Sequence, residues 1–311
     1  MKAAFYHRYG DSDVLQYGDI ERPAPGTGEV LVKVAGTSFN PVDAGIRGGY
    51  LSDVFPVAFP HVPGIDVAGT ITELGDRVSG WQVGDAVVGL LPMVARGAAA
   101  EYVLAPAEAL ATAPTSVPLA DSAALPTVGL TAWQALFEVA GLTAGQTILI
   151  NGAGGAVGGY AVQLAHQAGA KVTATTKASA AERLRHHGAD QLIDYLDYTA
   201  TPVADGAPFD VVLNLIGTTA DETEALAALV ADGGHYVGTM TSGPETTTRG
   251  LRSQRVFVRS DASQLADLVG QVDTGRLTID VADRRPLAEI AAVHADADAG
   301  RLPGKTILTP A

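Results

Sequence analysis

The stretch Thr147-Ile148-Leu149-Ile150-Asn151-Gly152-Ala153-Gly154-Gly155-Ala156-Val157-Gly158 decides the fold. Its first five residues form an apolar run bounded by polar ones, which predicts a buried strand. Gly152, Gly155 and Gly158 then follow at intervals of three. After them Val157, Ala161, Leu164, Ala165 and Ala168 recur at helical spacing. One glycine in such a turn permits positive φ, a second removes the Cβ that would block a pyrophosphate, and a third lets the helix lie close on the strand. The helix start then offers free N–H groups and its positive end to phosphates. A glycine-rich turn alone is a weak signal. This one follows a buried strand and opens an amphipathic helix, so it reads as a nucleotide-binding turn.

Working outward, strand-like runs continue at Lys171–Thr176, Gln191–Tyr195, Val211–Ile216, His235–Gly238 and Val256–Arg259. Helical segments at Val157–Ala168, Ala180–His187 and Glu222–Val230 lie between most of them, and another, Gly129–Ala140, comes before. Six strands joined by crossover helices predict a doubly wound parallel sheet. The first third has a different texture. Lys2–Tyr6, Val30–Val34, Val67–Glu73, Asp85–Gly89 and Glu101–Leu104 are short β-branched or alternating runs separated by Gly, Pro and Asp, as in a partly closed barrel. The tail predicts a helix at Gln264–Val272, a β segment at Leu277–Val281, a helix at Leu287–Ala297 and a strand at Lys305–Leu308. It is too small to fold alone and must pack on an earlier domain. The expected division is 1–123 with 262–311, around an inserted 124–261.

Composition bounds the function. With 47% apolar and 17% charged residues, the chain of 311 can fill two cores and is not disordered. A net charge of −14 argues against nucleic acid or an anionic membrane as partner. The absence of cysteine excludes thiolate nucleophiles and every zinc site built on sulfur. No apolar run is long enough for a bilayer span, and Met1–Tyr6 is followed at once by charged residues, so a cytoplasmic protein is expected. Beyond the second strand, where NAD-binding folds usually place an acidic residue on the ribose hydroxyls, the chain reads Thr175-Thr176-Lys177. A carboxylate there would repel a 2′-phosphate. Hydroxyls and an ammonium would bind it, which favours NADPH.

Six features in all carry a resemblance: Gly36–Asp43, Val62–Gly69, Gly80–Val88, Ala124–Trp133, the glycine turn, and Gly304–Leu308. In that order the chain resembles the zinc-independent quinone oxidoreductase branch of the medium-chain dehydrogenase/reductase superfamily. The resemblance implies an α/β protein with a GroES-like β-barrel catalytic domain and a Rossmann NADPH-binding domain, with the active cleft between them. It implies that Thr127 approaches the nicotinamide half, that Ile216, Gly217, Gly238 and Thr239 line the cofactor, and that Tyr195 lies near the 2′-phosphate. The pyrophosphate falls to Gly152, Gly155, Ala156, Val157 and Gly158, and the 2′-phosphate also to Thr176 and Lys177. Zinc-dependent relatives have a Cys near position 40 and Gly-His-Glu near 64–66. This chain has Asn40 and Gly64-Ile65-Asp66, so no metal is expected; His61 and Asp66 read as a loop pair.

Hydride transfer needs two planar molecules positioned and a donor for the acceptor's oxygen. The resemblance assigns these tasks to Asn40, through its amide, and Tyr50, through its hydroxyl. A second family tyrosine is replaced by Gly45, which implies a wider pocket. Asp43 and Arg47, spaced i and i+4, read as a helix-face pair. Trp81 and Trp133 read as core, and His186 and His187 as solvated. The expected activity is a metal-free reductase acting on a small quinone or enone, with a homodimer possible. An enoyl-thioester or biosynthetic enone reductase, a carbonyl-forming dehydrogenase and a non-catalytic NADPH-binding protein are the alternatives.

Overall fold

The computed structural model describes residues 1–200, 202–244 and 249–310. The chain divides into two compact units, Met1–Thr127 with Arg259–Ala311 and Val128–Val258. In the first, β1 (Lys2–Phe5) pairs antiparallel with β2 (Gln16–Asp19). The long β3 (Glu29–Ser38) leads into the short helix α1 (Pro41–Arg47). Then come β4 (Asp66–Leu74), β5 (Ala86–Leu90), β6 (Tyr102–Pro106) and β7 (Leu110–Thr112). β3 pairs antiparallel with both β4 and β6, so it is the spine of the barrel. Its alternation puts Val30, Val32 and Val34 inward, against Val67, Ile71, Val87, Val103 and Leu110.

Helix α2 (Pro126–Trp133) continues as a π-helical turn at Gln134–Val139. The second unit then alternates β8 (Thr147–Asn151), α3 (Ala156–Gln167), β9 (Lys171–Thr175), α4 (Ala178–His186) and β10 (Gln191–Ile193). It goes on through β11 (Phe209–Asn214), α5 (Ala220–Ala228), β12 (Val230–Gly238) and β13 (Arg252–Arg255). All its pairings are parallel, in the spatial order β10-β9-β8-β11-β12-β13. The order reverses between β8 and β11, which puts the topological switch point at Asn151 and Asn214, where open parallel sheets bind ligands.

The tail returns to the first unit through α6 (Ala262–Asp273), β14 (Asp283–Pro286), α7 (Ile290–Asp298) and β15 (Thr306–Thr309). β15 pairs antiparallel with the end of β3, Ile307 opposite Ser38 and Leu308 opposite Thr37. That register brings Lys305, just before β15, beside Asn40.

Several expected elements move. The sixth parallel strand is Arg252–Arg255, not Val256–Arg259, because an edge strand needs no apolar face and its polar run gave no periodicity. Leu277–Val281 is coil; the strand after α6 is the arginine-bearing Asp283–Pro286. There Arg284 pairs bidentately with Asp121, and Arg285 bridges Asp283 and Asp296. The helix expected at Gly129–Ala140 starts at Pro126, a residue preorganised for a first helical turn. Trp81 and Trp133 are half-buried, as core-edge residues. His186 is exposed, but His187 is buried, because it keeps helical geometry at the C-cap of α4 and lies three residues after the buried Leu184, on the same face. Among the described residues no helix is long and apolar enough to cross a membrane.

Candidate active site

The glycine turn is built from backbone. Gly152 adopts φ +84°, and a Cβ on it would lie 2.5 Å from Ile216 Cγ2. A Cβ on Gly158 would collide with the Ala153 backbone, so that glycine is what lets α3 start so close to β8. Gly155 differs. Its φ of −76° is open to any residue, and a Cβ there would meet only Gly152 O, at 3.5 Å. It is the N-cap of α3, no side chain caps that end, and it is exposed with Ala156 and Val157 half-exposed beside it. The fold therefore does not need a glycine at 155, whereas a dinucleotide's pyrophosphate on the first turn of α3 does. The residues present fit that group.

Around the turn stand polar side chains from three strand ends. The Gly152 N–H donates to Thr175 Oγ1 (2.8 Å), which donates to Asn151 Oδ1 (2.9 Å). Asn151 Nδ2 donates to Asn214 Oδ1 (3.0 Å), and Asn214 Nδ2 donates to Tyr236 OH (3.0 Å) and Thr218 Oγ1 (3.1 Å). The Thr239 N–H donates to Asn214 O (3.0 Å). With the Ile216 N–H facing Asn214 Oδ1 (3.4 Å) and Gly238 opposite Asn214 in the sheet, this web ties Ile216, Gly238 and Thr239 to the switch point, and Gly217 follows Ile216 in the chain. A Cβ on Gly238 would collide with Thr241 O, so that glycine serves the backbone itself, while Gly217 has open space around it. Arg183 donates to Gly154 O (2.8 Å). Beyond β9, Thr176 is buried, and Lys177 Nζ lies 5.8 Å from the Tyr195 ring centroid. Three residues expected around a 2′-phosphate thus lie beyond the neighbouring ends of β9 and β10. Thr175, expected to offer its hydroxyl to a 2′-phosphate, is instead fully buried and engaged by Gly152 and Asn151. Sequence reasoning missed Asn151, Arg183 and Asn214, whose partners lie on other elements.

In the first unit a second constellation surrounds Asp66, which is fully buried. Its Oδ2 accepts from Ser38 Oγ (2.5 Å), Asn40 Nδ2 (2.8 Å) and Lys305 Nζ (3.2 Å). Its Oδ1 accepts from the Thr127 N–H (2.8 Å) and Thr127 Oγ1 (2.6 Å). Lys305 Nζ also donates to Asn40 Oδ1 (2.7 Å) and Phe39 O (3.3 Å). The partners force the Asn40 amide: an ammonium only donates, so it faces oxygen, and a carboxylate only accepts, so it faces nitrogen. The second amide hydrogen of Asn40 faces Ser38 O at 3.4 Å, a long contact. Burial pulls the Lys305 ammonium below its ordinary range, opposed by Asp66. Lys305 belonged to a recognised stretch, but nothing in the sequence tied it to Asn40, 265 residues away.

Asp43 does not pair with Arg47. Its carboxyl accepts from the N–H groups of Asn40 (2.9 Å) and Gly64 (3.1 Å), and burial pushes it up to about 7. Arg47, also buried, reaches Gly10 O (3.2 Å), His294 Nδ1 (2.9 Å) and Asp298 (2.8 Å). Buried groups take the nearest partner in three dimensions, and α1 meets α7 at Arg47, beside His294 and Asp298. His294, facing the guanidinium and buried, is pushed down to about 3. Nor does His61 pair with Asp66: its ring packs edge-on against Tyr6 at 5.3 Å, and burial lowers it to about 4. Tyr50 stands apart from the Asp66 network, 85% exposed, its ring beside Gly48. Among the described residues no group of three or more His, Cys, Asp or Glu is arranged to hold a metal ion.

Comparison with known proteins agrees with this architecture. Residues 26–115 match the family described as alcohol dehydrogenase GroES-like domain, and residues 187–308 match zinc-binding dehydrogenase. The chain is 32% identical to an Arabidopsis thaliana protein described as a chloroplast envelope quinone oxidoreductase homolog, over 100% of this chain and 98% of that one. It is 33% identical to the 2-methylene-furan-3-one reductase of Solanum lycopersicum, over 100% of this chain and 79% of the relative. A solved quinone oxidoreductase from Coxiella burnetii superposes with a TM-score of 0.87 at 28% identity, covering 99% of both chains. With its barrel, its parallel sheet and an end-to-end match to such relatives, the chain belongs to the quinone oxidoreductases of the medium-chain dehydrogenase/reductase superfamily.

Proposed function

We propose that this protein binds NADPH and reduces a small quinone or α,β-unsaturated carbonyl compound without a metal ion. The observation that carries the reading is the bare, solvent-open start of α3 at Gly155, a glycine the fold itself does not require. Gly152, Gly155, Ala156, Val157 and Gly158 would hold the pyrophosphate there. Thr176, Lys177 and Tyr195 would hold the 2′-phosphate, and the ammonium beside the aromatic ring is the support for NADPH over NADH. Thr127, Ile216, Gly217, Gly238 and Thr239 would serve the nicotinamide half. Thr127 gives its hydroxyl hydrogen to Asp66, so toward a carboxamide it accepts.

When bound, the cofactor supplies a hydride. The chain's task is to orient the acceptor and stabilise the charge that develops on its oxygen. Asn40 is the proposed donor, through the amide hydrogen that among the described residues faces only Ser38 O, at a long 3.4 Å. Tyr50 is the proposed second contact, exposed and able to turn its hydroxyl. The metal-free reading rests on donor chemistry. Where zinc relatives offer ligands, Asp66 already accepts from five donors, one of them an ammonium that would repel a cation.

The test is turnover followed by nicotinamide absorbance, with a benzoquinone, a small enone, an enoyl thioester and an aldehyde in turn. Oxidation of NADPH by the first two alone supports the proposal. Turnover only with the thioester moves the substrate class, and tight binding with no turnover makes the protein a binder. Equal affinity for NADH and NADPH would remove the role given to Lys177.

A further inference from the structure

We propose that Lys305 is a positioning residue for hydride transfer: its buried ammonium holds the Asn40 amide in one orientation and cancels the charge of Asp66 beside it. The inference rests on the reading above for its kinetic consequence, though the device itself belongs to the protein alone.

Three observations lead to it. Lys305 is 6% exposed, and its three N–H bonds have three acceptors, Asn40 Oδ1, Asp66 Oδ2 and Phe39 O. A buried lysine this fully partnered is built into the site. The ammonium meets the oxygen end of the very amide whose nitrogen end is the proposed donor, so it withdraws electrons from that amide and strengthens its N–H bonds as donors. Asp66 lies 2.8 Å from the same nitrogen. Without a cation, its carboxylate would oppose negative charge on any oxygen bound to Asn40, and at low dielectric that opposition acts over several ångströms. With Lys305 the pair is neutral, and charge can collect on the acceptor.

The groups facing Lys305 are Asp66 from β4, Asp43 and Asn40 from the start of α1, and the Phe39 carbonyl after β3. Both carboxylates favour the ammonium and burial disfavours it, with burial the larger influence. The ammonium should therefore release its proton on the alkaline side, below the ordinary lysine range.

Two readouts test this on the whole protein. The first needs no turnover: with asparagine selectively ¹⁵N-labelled, the Asn40 side-chain amide is followed from pH 7 to 10.5 without cofactor. In the wild type it should move in one alkaline titration as Oδ1 loses its ammonium, and in Lys305→Met that titration should vanish. The second is kinetic. Lys305→Met should lower kcat about 100-fold, on the scale of losing one oxyanion donor, and should lack an alkaline fall in kcat. Acceptor KM and NADPH Kd should stay within about threefold, since the ground state carries no new charge at the oxygen. Lys305→Gln, which keeps a donor to Asn40 without the charge, serves if the Met variant does not fold, and it should be slowed nearly as much. A wild-type amide signal that ignores pH, or a Gln variant as fast as wild type, overturns the proposal. If the wild type turns over none of the acceptors, the quinone and enone reading fails while the amide titration still decides the role of Lys305.

Discussion

The Asp66 constellation of the first unit and the glycine turn of the second handle charge in opposite ways. Around Asp66 the first unit supplies side chains, a buried carboxylate and a buried ammonium among them, and satisfies each with partners from the chain itself. At the start of α3 the second unit supplies almost no side chains, and leaves backbone N–H groups open at a glycine N-cap. One region draws its partners from the chain itself, and the other leaves a helix start exposed with no side-chain cap. Mutations should therefore act differently in the two. In the barrel they should cost stability first; at Gly155 in the glycine turn they should cost binding while leaving the fold alone.

The largest stability effect belongs to Asp66. Asp66→Leu leaves the Lys305 ammonium buried without its counter-charge, and removing one partner of a buried pair costs about 3–5 kcal/mol. Urea unfolding should show a loss of that size; a loss under about 1 kcal/mol would mean that the pair is not held as two charges.

A smaller effect belongs to His294, kept neutral against Arg47. Its folded value is about 3 and its ordinary value 6.5, so between those limits the unfolded chain takes up a proton that the folded chain refuses. The stabilisation is full above pH 6.5 and drains away as pH falls toward 3. Asp43 acts with the opposite sign: its folded value is raised to about 7, so it favours the folded state as pH falls below that. The wild-type curve mixes the two, and the difference between variants separates them. His294→Asn keeps an acceptor for Arg47 without titrating. Between pH 7 and pH 5 the wild type should lose about 2 kcal/mol relative to this variant. Parallel curves would show that His294 is not the acid-sensitive group.

The contrast also explains what the sequence made legible. The glycine turn, its strand and its helix were readable because their pattern lies within one continuous stretch, Thr147–Ala168, in which Gly152 and Gly158 answer steric demands and Gly155 completes the spacing. The parallel sheet followed from the alternation around it. Arg252–Arg255 and Asp283–Pro286 were not readable as strands, because pairing at a sheet margin leaves no apolar period. Asn40, Asp66, Thr127 and Lys305 were each visible within family-like stretches. Their joining was not, since it depends on β15 pairing with the end of β3 across 269 positions of chain between Ser38 and Ile307. Local spacing misled at Asp43 and Arg47, where i and i+4 suggested a pair and burial sent each residue elsewhere.

The most direct test of the whole account is Gly155→Asp. An aspartate is among the best N-cap residues, the backbone there accepts any side chain, and its Cβ meets nothing closer than 3.5 Å. Thermal unfolding should be unchanged or slightly raised, while NADPH titration by fluorescence should show affinity weakened by at least about 100-fold, because a carboxylate then stands where the pyrophosphate must. Undiminished NADPH affinity in a folded Gly155→Asp protein would contradict the account.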